Sequence, residues 1–183
     1  MTHSSIVRRL SGTAAAVTLA AGAALVSAAP ASAHPIIDIG YDVEVRAVHS
    51  GKCLEIADWR TDDGAPLRQW NCTGGDNQKW RFNGDGTIVN VHSGRCLEVP
   101  GWNFQPGVQV GQWTCHGGAN QKWEGFNRIS ELQSLAIGSS SALKLVFDVA
   151  GVSTDDGAPV ILWGAGGSYY NQQFTFNPEA PGA

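Results

Sequence analysis

The tetrad Asn77-Gln78-Lys79-Trp80 returns unchanged as Asn120-Gln121-Lys122-Trp123, 43 residues later, and a relaxed copy, Asn171-Gln172-Gln173-Phe174, lies near the C-terminal end. Working outward from it, Glu55 and Glu98 are also 43 residues apart, as are Trp70 and Trp113. The phrase VHSGKCLE at 48–55 reappears as VHSGRCLE at 91–98. TDDGAP at 61–66 returns at 154–159, 93 residues on, which is seven more than two repeats of 43. The chain therefore reads as three copies of one unit, with the third lengthened by about seven residues in the Ser-rich stretch Gly138–Ser141. Aligned in this way, VFDVAGVSTDDGAPVILWGA matches CLEIADWRTDDGAPLRQWNC position for position, and both cysteines are replaced together, by Val146 and Ala165.

Within each unit the apolar segments are short: VEVRAVHS, TIVNVHS, VQVGQW, LKLVFDV and PVILW. They are rich in Val, Ile and aromatics and lie between clusters of Gly, Asp, Asn and Pro, which predicts strands joined by turns. NGDG at 83–86 is a hairpin turn signal. Helical periodicity is missing after the N-terminal leader. Three units of about four strands each predict a closed three-fold barrel, because closure removes exposed strand edges.

The leader itself has Arg8 and Arg9, then an uncharged, Ala-rich apolar run from Leu10 to Val26, then Ala31-Ser32-Ala33. This is the pattern of a secretory signal over residues 1–33 rather than a membrane anchor, leaving one domain over residues 34–183. The chain carries 12 basic and 16 acidic residues, and loss of the leader makes it more acidic still. Its scattered basic residues exclude an electrostatic nucleic-acid footprint. An even count of four cysteines in an exported chain argues for two disulfides. Three pairings exist. The equal spacing of 19 from Cys53 to Cys72 and from Cys96 to Cys115, with the paired loss in unit three, favours those two local bridges. Each then contributes about 3 kcal/mol on the loop-entropy account.

These elements resemble the ricin B-type lectin domain, also called the family 13 carbohydrate-binding module, over nearly all of residues 43–177. The resemblance rests on the Cys-Leu-acidic element, the Gly-Ala turn, the Trp-x-Cys element and the Asn-Gln-x-Trp ending, repeated in order. It implies an all-β fold, a β-trefoil, with repeats at about 43–89, 90–133 and 134–178. It also implies carbohydrate binding at up to three shallow sites, with galactose- or xylan-type sugars favoured.

A sugar ring has an apolar C–H face that an indole complements, and a carboxylate accepts hydrogen bonds from two neighbouring hydroxyls. The resemblance places these roles, with an amide at the side, on Glu55/Trp70/Asn77, Glu98/Trp113/Asn120 and Asp148/Trp163/Asn171. The family's usual acid is Asp, kept only at Asp148. Glu moves the carboxylate by about 1.5 Å, a bond-length scale, so the third site fits the family pattern best.

Trp80, Trp123 and Phe174 read as core around the pseudo-threefold axis, and Gln78, Gln121 and Gln172 as scaffold. Trp59 and Trp102 read equally as further platforms or as covers for the barrel end. Tyr169 or Tyr170 offers unit three a second aromatic wall. His116 lies within reach of the second site but also reads as a solvated surface residue. Asp62-Asp63 and Asp155-Asp156 read as turn caps rather than a catalytic pair. No hydrolase, zinc or phosphate-loop motif is present, and no cofactor or metal is expected. The rival to a non-enzymatic, monomeric lectin is a protein-binding trefoil such as a protease inhibitor, since a fold alone does not fix function.

Overall fold

The computed structural model describes residues 42–124, 136–137, 145–166 and 169–178. The expected leader, the expected insertion near Gly138–Ser141 and part of the boundary between units two and three lie outside these residues. Among the described residues there are twelve short strands, four to a unit. Unit one has β1 (Val43–Ala47), β2 (Cys53–Ile56), β3 (Leu67–Trp70) and β4 (Lys79–Phe82). Unit two has β5 (Ile88–Asn90), β6 (Cys96–Glu98), β7 (Gly111–Trp113) and β8 (Trp123–Glu124). Unit three has β9 (Ala136–Ile137), β10 (Leu145–Val149), β11 (Val160–Gly164) and β12 (Phe174–Pro178). The fold is a β-trefoil.

The first and last strands of each unit form the barrel wall. β1 pairs with β4 within unit one, and β4 continues to β5 through the hairpin whose turn is Asn83–Thr87. β8 pairs with β9. β12 then returns to β1 over five residue pairs, from Val43↔Pro178 to Ala47↔Phe174. The two middle strands of each unit form a hairpin: β2–β3, β6–β7 and β10–β11. These three hairpins touch one another through the bridges Pro66↔Gly111, Gln109↔Ile161 and Arg68↔Pro159. Every unit thus meets both others.

The tetrad aromatics fill the centre. Trp80, Trp123 and Phe174 are fully buried, with Leu54, Leu97 and Phe147 in the same cluster. Burying 150–250 Å² per aromatic stabilises the fold by roughly 4–6 kcal/mol each. The indole N–H of Trp80 donates to the Leu54 carbonyl and that of Trp123 to Leu97, both at 3.1 Å. Phe174 has no such donor and packs against Phe147 instead.

Both disulfides have the expected pairing, Cys53–Cys72 and Cys96–Cys115, each closing 19 positions. Each pins the start of one hairpin strand to the loop after the other. Unit three does without: Val146, in place of the first cysteine, is buried opposite Trp163.

Candidate functional site

Each hairpin sets a carboxylate directly across from a residue two positions before a tryptophan. Glu55 faces Arg68, Glu98 faces Gly111 and Asp148 faces Ile161. Side chains alternate along a strand, so Trp70, Trp113 and Trp163 share the carboxylate's face. Trp113 and Trp163 are 43% and 47% exposed, while Trp70 is half-buried. Each of the three indoles rests on a turn from another unit. A Cβ at Gly64 would come within 3.9 Å of Trp113 Cζ3, one at Gly107 within 4.0 Å of Trp163 Cζ3, and one at Gly157 within 3.6 Å of Trp70 Cζ3.

The paired aspartates serve the same joint. Asp63 accepts from the backbone N–H of Thr114 at 2.7 Å, and Asp156 from that of Asn71 at 2.8 Å. The second Asp of each pair therefore caps the strand end beside another unit's tryptophan, not its own turn as expected from sequence. Folding brings that end close to the turn, which linear spacing does not reveal.

The glutamine of the tetrad is the main support of the carboxylate. Gln78, Gln121 and Gln172 donate to Glu55, Glu98 and Asp148 at 2.9, 2.8 and 2.8 Å. The same amides donate to the carbonyls of Asn71, Thr114 and Gly164. Their oxygens accept from the backbone N–H groups of Thr73, His116 and Gly166. One buried side chain therefore ties strand, loop and acid together, a larger part than the scaffold role read from sequence.

The asparagines lie at the floor of each site. Asn77, Asn120 and Asn171 are buried and donate to the carbonyls of Ile56, Val99 and Val149 at 3.3, 3.2 and 3.1 Å. Those carbonyls begin a short 3-10 turn ending at Trp59, Trp102 and Val152. These three residues have φ of 55°, 58° and 54° and are exposed. A positive φ is strained for a bulky side chain and unusual for a β-branched one. Trp59 leans over Gly75 beside Asn77, which puts it at the flank of the first site rather than over the barrel end.

The three sites differ in what surrounds the acid. In unit one, Arg68 donates to both Glu55 and Asp58. In unit two, His116 lies 2.9 Å from Glu98 Oε2, so this exposed side chain sits at the rim of the site. In unit three, a cleft of about 250 Å³ is lined by Asp148, Gly151, Val152, Ile161, Trp163, Tyr169 and Asn171. Tyr169, not Tyr170, is the wall there. Burial raises the Asp148 pKa above the ordinary 3.8, against the opposing pull of its bonds to Gln172 and Asn171 and of nearby His49. Arg68, Ile161 and Val152 were missed as site residues. Strand alternation from Trp70 and Trp163 marks the first two.

Among the described residues, one group of acid and thiol side chains is close enough to hold a metal: Glu44 with Cys53 and Cys72. Those two sulfurs are bonded to each other and are not available as thiolates.

The ricin-type β-trefoil lectin domain family matches residues 41–174. The chain belongs to this family. Among solved structures, this lectin chain is similar to the designed three-fold symmetric protein ThreeFoil, at 36% identity over 74% of this chain and 96% of that one, with a TM-score of 0.67. It is also similar to an exo-β-1,3-galactanase from Clostridium thermocellum, at 30% identity and a TM-score of 0.67. That match covers 75% of this chain but 30% of the galactanase. A ricin B-like lectin from Macrolepiota procera, solved in complex with lactose, has the same fold at 19% identity and a TM-score of 0.64, with 78% of this chain and 98% of that one covered. Carbohydrate binding is thus the function of the family to which this lectin belongs.

Proposed function

We propose that this lectin is a secreted, non-enzymatic protein that binds oligo- or polysaccharide of galactose or xylan type, with Asp148, Trp163 and Asn171 as its principal site. The observation that carries this is the unit-three cleft, where a carboxylate that forms no salt bridge among the described residues lies beside an exposed indole. That arrangement suits a sugar, since neighbouring hydroxyls donate to the acid while the ring's C–H face covers the indole. The lactose complex of the Macrolepiota procera lectin and the galactan specificity named for the Clostridium thermocellum enzyme support a galactose-type ligand. Two disulfides and the leader support export to an oxidising compartment.

A single shallow site binds weakly, because stacking and solvent-exposed hydrogen bonds gain little over water. Repeated sites engaging one polymer raise apparent affinity through effective concentration. The decisive experiment measures retention of the protein on lactose-agarose, on insoluble xylan and on a glycan array, before and after Trp163→Ala. Binding that Trp163→Ala abolishes or strongly weakens is expected. A parent protein that binds no glycan sinks the proposal and turns attention to protein partners. Sustained release of reducing sugar by the purified protein would overturn the non-enzymatic part.

A further inference from the structure

We infer that Arg68 closes the unit-one site from within, so that this chain offers two open sites instead of three; the inference rests on the carbohydrate reading above. Arg68 stands directly opposite Glu55 and two positions before Trp70, so all three side chains emerge on one face. Its Nε–H donates to Glu55 Oε1 and its Nη2 to Asp58 Oδ1, each at 2.9 Å. Its Cζ lies 4.3 Å from the centroid of the Trp70 ring. A planar cation therefore fills the gap between acid and indole face, the space in which a sugar ring must stack.

Both oxygens of Glu55 are engaged. Oε1 is held by Arg68, and Oε2 by Gln78 and Asn77. A sugar entering here must break two charge-assisted bonds and a cation–π contact, and it offers only neutral hydroxyls in return. Both arms of the clamp are confined to unit one. Arg68 is replaced by Gly111 and Ile161, and Asp58 by Gly101 and Gly151. In unit two Gly111 stands opposite the acid, so no side chain from that position crosses to Trp113, although His116 lies against one oxygen of Glu98, and unit three has an open cleft. Arg68 is thus the residue that sets the valency of this lectin.

Two measurements on the full chain test this. The first is a 15N-resolved spectrum of the protein without sugar, which reads Arg68 directly. A guanidinium held over an indole gives an upfield-shifted, slowly exchanging Nε–H, which is expected; a random-coil shift with fast exchange overturns the closure, whatever the protein binds. The second uses Trp113→Ala/Trp163→Ala, which leaves only the unit-one platform, on lactose-agarose and insoluble xylan. This double variant is expected to lose retention. Adding Arg68→Gly is expected to restore it, with affinity at least roughly tenfold above the double variant, and Trp70→Ala to remove it again.

The inference fails if the double variant binds with Arg68 in place and Trp70→Ala abolishes that binding. It fails equally if the triple variant is folded by circular dichroism yet does not bind while the parent does. A parent that binds neither matrix defeats the carbohydrate reading separately, and the spectrum still decides the closure.

Discussion

Gln172 Nε2 donates to Asp148 Oδ2 at 2.8 Å, from a side chain that is itself buried. The same amide holds the Gly164 carbonyl and the Gly166 N–H. Gln172→Leu keeps the volume but removes all three bonds. It is expected to cost about 2–4 kcal/mol of stability, from a buried acid and backbone groups left unpaired. It also frees the carboxylate to rotate, so sugar affinity should fall in a folded sample. Chemical denaturation and a binding isotherm below the transition separate the two effects. Full affinity in Gln172→Leu would show that the amide does not orient Asp148.

Asp148 gives the third site a pH dependence of known sign. Burial raises its pKa above 3.8, so the folded state favours the neutral acid relative to the unfolded chain. Asp148 therefore favours folding at pH values below its unfolded pKa, and this advantage is lost as pH rises through the folded value. Binding runs the other way, because the ionised form is the better acceptor. Affinity should drop on acidification at a pH above that of an ordinary aspartate. Asp148→Asn should match or exceed the parent's stability at neutral pH while losing binding. Isotherms from pH 7 down to pH 4, with thermal melts of both proteins at pH 7, check this.

The two bridges each close a loop of 19 positions, and replacing either pair by serine should cost about 3 kcal/mol. The costs should add, since the bridges lie in different units and share no partner. Denaturation of each pair variant and of the quadruple variant tests the additivity. A quadruple cost well below the sum would show that the units unfold independently.

Val152 has a φ of 54°, a region that strains β-branched side chains. Val152→Asn places there a residue that tolerates this conformation and should gain about 1 kcal/mol. The same change removes an apolar wall of the unit-three cleft. Stability up with affinity down is the expected result, read from paired melts and isotherms. A loss of stability would mean that the contacts of Val152 outweigh its strain.

The trefoil was legible because its repeats are written as exact words. Trp80 and Trp123 recur in identical tetrads, and an aromatic that returns at the same place in three units has a core to share. The disulfides were legible from equal spacing. What the sequence did not reveal depends on contacts between units. Asp63 caps the strand end at Thr114, 51 residues away, and nothing local to Asp63 indicates it. The state of each site was hidden for a related reason. Glu-for-Asp drew attention as a change of length, whereas the larger difference at unit one is the guanidinium lying across Trp70. That neighbour follows from strand pairing, which fixes who stands opposite whom. The asparagines kept their place beside the acid, but their donors also go to the backbone, with Asn77 shared between the Ile56 carbonyl and Glu55.

The glycine turns beneath the tryptophans have a consequence for how such a molecule can be divided. Trp70 rests on Gly157, Trp113 on Gly64 and Trp163 on Gly107, so each indole takes its backing from a different repeat, in a circle. A single excised repeat would carry an acid and a tryptophan with nothing behind the ring. Two neighbouring repeats can back one indole between them, but only the closed ring of three backs all of them, and a change in one turn is felt first at its neighbour's binding face.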